Sequence, residues 1–224
     1  MKMRVKMPCR RGAVIIIVFL AAIRAWADGQ MVVADFALGV DAQGVPNGWQ
    51  LKEKSGQADF SVVKDGGLDA VLLRSASTSF SLQKEVKIDV TQYPILSWKW
   101  KVATLPKDGD FRRSQTDDQA AQLFLRFTRT KAIVYIWDTT APQGLMADAP
   151  ASFFMTIKVI VVRSGPAGLG TWLTETRNVF EDYRKLYGER EKTPVVSGVR
   201  LQINSQHTHT SAESYFAAVL FKKP

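Results

Sequence analysis

Apolar side chains recur at every second position in several separate segments, and this periodicity most constrains the fold of the chain. Residues 96–102 run Leu-Ser-Trp-Lys-Trp-Lys-Val. Similar alternation, or a longer two-sided apolar run, occurs in residues 121–127, 133–137, 153–161, 199–204 and 215–221. Successive side chains of a strand point to opposite faces, so these segments predict β-strands with at least one buried face. Many strands without a regular strand–helix alternation predict an all-β fold, an antiparallel β-sandwich.

Two local signals complete the predicted secondary structure. Asn178 can cap a helix, Glu181 follows three residues later, and Gly188 can end the helix. We therefore expect one short helix near residues 178–187. The run Asp65-Gly66-Gly67 lies between two strand-like segments. Such a run is typical of a tight β-hairpin.

Residues 1–27 have the composition of a secretory signal peptide. A basic stretch precedes the short apolar run of residues 13–23, and Ala25-Trp26-Ala27 is a small-x-small cleavage motif. The apolar run is shorter than the roughly 20 residues that a membrane-spanning helix needs. We expect cleavage near Ala27, a mature domain over residues 28–224, a periplasmic or secreted location and no stable membrane anchor.

Composition narrows the possible functions of that mature chain. Six of the 30 Lys and Arg residues lie in residues 1–27, which leaves 24 against 21 acidic residues and a net charge of +3. So small and scattered a charge gives no reason to expect nucleic-acid binding. Cys9, the only cysteine, lies in the predicted leader. Disulfides and thiolate chemistry are therefore not expected in the mature chain.

A series of motifs resembles a known family. The motifs are Tyr93-Pro94-Ile95-Leu96-Ser97-Trp98-Lys99-Trp100-Lys101-Val102, Leu105-Pro106, Thr116-Asp117-Asp118-Gln119-Ala120-Ala121, Tyr135-Ile136-Trp137, Trp172, Glu175-x-Arg177-Asn178 and Asp182-Tyr183. In this order they resemble the bacterial exported DUF3047 family over nearly all of the mature chain. The resemblance implies a jelly-roll sandwich, similar to galactose-binding and carbohydrate-binding modules, and leaves the function unassigned.

Three carboxylates are candidates for catalysis. Acid–base catalysis needs two carboxylates with differently tuned pKa values, and Asp118, Glu175 and Asp182 are the residues that could provide them. The structural alternatives are that Asp118 binds backbone N–H groups of a loop and that an Arg177–carboxylate pair fixes the strand-to-helix corner.

A second set of residues suits a non-covalent polar site. Asp118, Arg177, Gln202 and Asn204 supply hydrogen-bonding groups, and Trp172 could stack on a sugar ring. Asn204→Ala is expected to weaken binding and to leave stability nearly unchanged.

No motif in the sequence indicates a cofactor, a metal or a covalent nucleophile. His207 and His209 are too few for a zinc site, which takes three or four ligands. A Gly-x-Ser-x-Gly elbow is absent.

Three functional hypotheses follow. The first is a non-catalytic module that binds a saccharide or another polar ligand of the envelope. The second is a hydrolase or lyase acting on an envelope polymer through Asp118, Glu175 and Asp182. The third is an accessory module that binds a protein partner by a sheet edge or face. The sequence does not determine the oligomeric state.

Overall fold

The structure is a computed structural model, and it describes residues 25–26, 29–150, 154–188 and 194–224. Nearly all of the predicted leader, including Ala27 at the expected cleavage site, lies outside these ranges. Within them, no helix has the length and apolar character needed to cross a membrane.

The described chain forms fourteen strands, one α-helix and a short 3-10 helix over Phe36–Leu38. The strands are β1 (Ala25–Trp26), β2 (Gln30–Val32), β3 (Gln50–Ser55), β4 (Asp59–Asp65), β5 (Leu68–Ala76), β6 (Ser79–Asp89), β7 (Ile95–Thr104), β8 (Ala121–Arg126), β9 (Lys131–Asp138), β10 (Met146–Asp148), β11 (Thr156–Ser164), β12 (Leu173–Asn178), β13 (Val195–Asn204) and β14 (Ser211–Lys222). The helix α1 spans Val179–Tyr187.

The strands build a jelly-roll sandwich of two seven-stranded sheets, which confirms the predicted all-β class. In the first sheet the order is β1-β2-β14-β5-β4, and β7 pairs with both β14 and β12. In the second sheet the order is β10-β11-β9-β8-β13-β6-β3. One pair differs from the predicted antiparallel arrangement, because β9 and β11 run parallel. The connection between them, residues 139–155, is long enough for the crossover that a parallel pair requires.

The core between the sheets is aromatic. Trp98, Trp100, Tyr135 and Trp137 are completely buried. The rings of Trp98 and Trp100 meet edge to face with centroids 5.3 Å apart. Trp98 also lies 5.4 Å from the ring of Tyr135 across the sandwich. The period-two pattern therefore assigned these four side chains to the correct face of their strands.

The helix and the hairpin form where the local signals predicted them. Asn178 caps α1 by accepting a hydrogen bond from the Glu181 N–H. Gly188 ends the helix with a φ of 79°, a conformation that favours glycine. Gly66 and Gly67 connect β4 to β5, both with positive φ.

Candidate functional site

The outer face of the second sheet carries an open groove of about 340 Å³. On β8, β9 and β13, the side chains that alternate with the core residues point to this face. One side of the groove is polar and is lined by Lys54, Asp117, Gln119, Gln122, Arg200 and Gln202. The other side is apolar and is lined by Phe111, Phe124, Val134, Ile136, Ala149, Pro150, Ile157 and Val159. The groove therefore offers hydrogen-bonding groups beside an apolar floor.

The apolar floor belongs to a second hydrophobic cluster, separate from the core between the sheets. Val134 and Ile136 alternate along β9 with the core residues, so this strand is apolar on both faces. Phe111 comes from the loop before β8 and is only 2% exposed. Its N–H donates to Asp138 at the end of β9 over 3.0 Å. This bond fixes the loop at one end of the groove.

Asn204 forms hydrogen bonds to four residues at the polar side of the groove. Its Oδ1 accepts from the Gln119 N–H at 2.9 Å and from Gln122 Nε2 at 2.6 Å. Its Nδ2 donates to the Asp117 carbonyl at 2.6 Å and to Asp118 Oδ1 at 3.1 Å. Asn204 is buried, and three of its four bonds are buried too, while the bond to the Asp117 carbonyl is partly buried. We call these five residues the Asn204 clamp.

Asp118 is the buried anchor of the clamp and does not line the groove. It is completely inaccessible to solvent. Its Oδ2 accepts from the N–H and the hydroxyl of Thr208, at 2.6 and 2.8 Å. His207 Nδ1 lies 3.7 Å from Oδ1. Asp118 thus ties the segment before β8 to the loop after β13, as the structural alternative for this residue expected.

Asp117 supplies the carboxylate on the groove side of the clamp. Gln119 Nε2 donates to its Oδ1 at 3.0 Å. Burial raises the pKa of Asp117, and the Gln119 hydrogen bond and the nearby His207 and Lys54 oppose that increase. Asp117 is the one carboxylate among the described residues that line the groove.

Arg200 reaches the groove from β13. Its guanidinium carbon lies 4.7 Å from the centre of the Phe124 ring, on the neighbouring strand. Its Nε is buried and has no hydrogen-bond partner in the described part of the chain. Gln202 follows on the same face of β13 and pairs in register with Gln122.

Arg177 and Asp182 lie at the strand-to-helix corner, away from the groove lining. Arg177 Nε donates to Asp182 Oδ2 at 3.0 Å, and a second guanidinium nitrogen donates to Oδ1. The hydroxyl of Tyr135 donates to Asp182 Oδ2 at 2.8 Å. The forked pair fixes the beginning of α1, which matches the structural interpretation of Arg177.

Glu175 forms a third, separate cluster. Its Oε1 accepts from Trp100 Nε1 at 3.1 Å and from Arg163 Nε at 2.7 Å. Asp118, Glu175 and Asp182 are all buried and engaged with different partners. The structure therefore does not bring the three carboxylates of the enzymatic hypothesis together in an open cleft.

Trp172 lies at the first sheet. Its Nε1 donates to Asp65 Oδ2 at 2.6 Å, and Lys101 Nζ binds the same oxygen at 2.6 Å. The side chain is half-buried against the β4–β5 hairpin. Of the five residues predicted for ligand binding, Gln202 lines the groove, Asp118 and Asn204 support it, and the other two lie elsewhere.

Most of the groove residues were not predicted from the sequence. Gln119, Gln122 and Phe124 lie in or next to a segment that was predicted to be a strand, but no role was predicted for them. Lys54 and Phe111 reach the groove from distant parts of the chain. The local signal that could have indicated the floor is the two-sided apolar character of residues 132–137. Among the described residues, no group of three His, Asp or Glu side chains is placed to hold a metal ion.

Comparisons with known proteins agree with the fold. A family model described as "Protein of unknown function (DUF3047)" matches residues 47–220. The xyloglucanase domain of NopAA, a type three effector from Sinorhizobium fredii solved in complex with cellobiose, superposes with a TM-score of 0.51 at 8% identity. That match covers 80% of this chain and 95% of the domain. At this identity, it shows similarity of fold alone.

A second solved structure is similar at a lower level. The family 11 carbohydrate-binding module of the cellulase Lic26A-Cel5E from Clostridium thermocellum has a TM-score of 0.44 and 9% identity. The match covers 89% of this chain and 97% of the module. Among curated proteins, none matches the chain significantly.

Proposed function

We propose that this chain, which belongs to the DUF3047 family, binds a saccharide in the groove of its second sheet and does not cleave it. The observation that carries the proposal is the row of amides from Gln119, Gln122 and Gln202 beside an apolar floor. An amide carries two N–H donors and a carbonyl acceptor, so Gln119 and Gln122 keep groups for sugar hydroxyls besides the one bond that each donates to Asp117 or Asn204. The floor suits the apolar faces of a sugar ring, since ligand sites combine apolar lining with a few placed polar groups.

The Asn204 clamp supports this proposal because it fixes the polar wall before a ligand arrives. The Gln122 amide is held by Asn204 Oδ1, and Gln119 is held through both its backbone and its contact with Asp117. A wall that is already ordered loses less conformational entropy on binding. The xyloglucanase domain of similar fold was solved with cellobiose bound, which is consistent with this class of ligand.

The number of carboxylates that line the groove favours binding over hydrolysis. Most glycosidases place two carboxyl groups about 5–10 Å apart on either side of the scissile bond. Asp117 alone represents this residue type among the described groove residues. Asp118 lies behind it with both oxygens engaged by Asn204 and Thr208. A saccharide in the groove would therefore meet one carboxylate.

Export is the second part of the proposal. The basic leader, its apolar run and the Ala25-Trp26-Ala27 motif support secretion to the periplasm or beyond. N-terminal sequencing of the protein from the envelope fraction is expected to begin near Asp28. A product that retains Met1 and sediments with the membrane would contradict export.

The binding test starts from a glycan array probed with the purified protein, followed by calorimetry on each hit. Gln202→Ala is expected to weaken binding about 3- to 10-fold, the effect of losing one hydrogen bond. Gln43→Ala is the matched control, because Gln43 is exposed and is not among the groove residues.

Three outcomes would overturn the proposal. The array could give no saccharide ligand, or Gln202→Ala could bind as tightly as Gln43→Ala. The third is the appearance of new reducing ends in the bound oligosaccharide, lost in Asp117→Asn, which would make the protein a hydrolase.

A further inference from the structure

The charges in and beside the groove are balanced except at one position. Arg126 forms an ion pair with Glu85 and also donates to the Ser197 hydroxyl. Lys54 lies near Asp117, close enough to oppose the increase in the Asp117 pKa. For Arg200, no described carboxylate lies within ion-pair distance, and its Nε is buried without a partner.

Asp117 lies toward the other end of the groove and is not among the groups that act on the Arg200 charge. The Asp117 carbonyl is bonded to Asn204, which lies four residues beyond Arg200 on β13. At about 3.3 Å per residue, the backbone positions of Arg200 and Asn204 are roughly 13 Å apart along β13. The groove thus has an acidic end at Asp117, with Lys54 nearby, and a cationic end at Arg200 without a counter-charge.

An unpaired, partly buried guanidinium is unfavourable for the free protein. Arginine remains charged in proteins, so it cannot relieve the cost by losing its proton. Burial and the nearby Arg126 both lower the pKa of Arg200, which reflects this unfavourable environment. Contact with the Phe124 ring offsets part of the cost. A carboxylate would offset more, since it can accept two parallel hydrogen bonds from the guanidinium fork.

We infer that the groove selects an acidic saccharide, a chain containing uronic acid units, and that Arg200 binds the carboxylate of one unit. This inference rests on the proposed saccharide-binding function and names its ligand class. Gln202 and Gln122 then bind hydroxyls of the next unit, since they follow Arg200 along the groove. A neutral sugar at the same place would leave the Arg200 charge without a counter-ion.

The test compares pairs of tetrasaccharides that share a backbone and differ only in the oxidation state of C6. The pairs are β-1,4-linked glucuronic acid with cellotetraose, β-1,4-linked mannuronic acid with mannotetraose, and α-1,4-linked galacturonic acid with its carboxyl-reduced form. In the pair that binds, calorimetry is expected to show the acid binding about 10- to 100-fold more tightly than the neutral partner. That preference should decrease at high salt.

The variant Arg200→Gln should reduce the preference for the acid to less than about 3-fold. Arg200→Lys keeps the charge but loses the fork, so an intermediate preference is expected. Arg74→Gln is the matched control, because Arg74 lies on β5 of the first sheet and pairs with Glu213. The acid-to-neutral ratio does not depend on the fraction of folded protein, so partial unfolding of a variant does not imitate the effect.

The outcomes separate the two proposals. If the neutral partner binds as tightly as the acid, if the best array ligand is neutral or sulfated, or if Arg200→Gln keeps the preference, the inference is wrong and saccharide binding stands. If neither the pairs nor the array yields a ligand, saccharide binding itself is refuted, and the inference falls with it.

Discussion

Replacing Asn204 with alanine should destabilise the protein strongly, the reverse of what the sequence suggested. The Asn204 clamp contains four side-chain hydrogen bonds, three of them buried and one partly buried. Each typically contributes about 1 kcal/mol net, so their loss amounts to roughly 4 kcal/mol. The substitution also removes the Asn204 partner of Asp118 Oδ1 and of the Gln119 N–H, which lie in a buried site, whereas Asp118 Oδ2 keeps its bonds to Thr208. A typical domain is stable by only about 5–15 kcal/mol, so this is a large fraction.

Urea unfolding followed by tryptophan fluorescence measures the effect, since the core contains three completely buried tryptophans. The midpoint should decrease at an unchanged slope, which identifies a change in stability rather than in the denatured state. Gln202→Ala is the matched control, because Gln202 lies two residues away on the same strand and face and is only half-buried. It should change stability by less than about 0.5 kcal/mol.

Two results would refute this reasoning. A loss below about 1 kcal/mol for Asn204→Ala would mean that the four bonds are replaced at no cost. An equal loss for Gln202→Ala would mean that the groove face, and not the clamp, determines stability.

Three further predictions follow from the buried polar groups and the core. Hydrogen bonds from Arg112 hold the pKa of Asp110 well below 3.8. The ionised Asp110 therefore stabilises the folded protein above that pH, and this contribution is lost on acidification. Urea unfolding should show that Asp110→Asn costs about 2 kcal/mol at pH 7 and clearly less at pH 3. Tyr135→Phe removes the bond to Asp182 and should cost about 1–2 kcal/mol by the same assay, and an unchanged midpoint would contradict it. Trp100→Ala should cost about 3–5 kcal/mol, and Lys99→Ala less than about 0.5 kcal/mol, in thermal melts; equal losses would contradict the assigned strand faces.

The sequence predicted the elements whose signals are local. Alternation over residues 96–102 identified β7 and its buried tryptophans. Asn178 and Gly188 marked both ends of α1, because capping depends on residues within one turn of the helix terminus.

The candidate site could not be predicted in the same way. The contact between Asn204 and Asp118 joins residues 86 positions apart, and it arises from the register of β13 on β8, which no local pattern encodes. Asn204 was correctly placed on the face of Arg200 and Gln202, but the loop that buries it was not foreseen. Conversely, Arg177 and Glu175 gave strong local signals of chemistry, and the structure uses both to fix corners and core.

The position of β14 has a consequence for how the chain acquires its structure. This strand, the last in the described chain, lies between β7 on one side and β5 and β2 on the other. Until residue 222 has left the ribosome, the β4–β5 hairpin and β7 lack the strand that joins them. The sandwich must therefore close after synthesis of β14, through contacts between residues far apart in sequence. Such a topology folds slowly, on a scale of milliseconds to seconds. During translation, the edges of β5 and β7 that later pair with β14 remain unpaired.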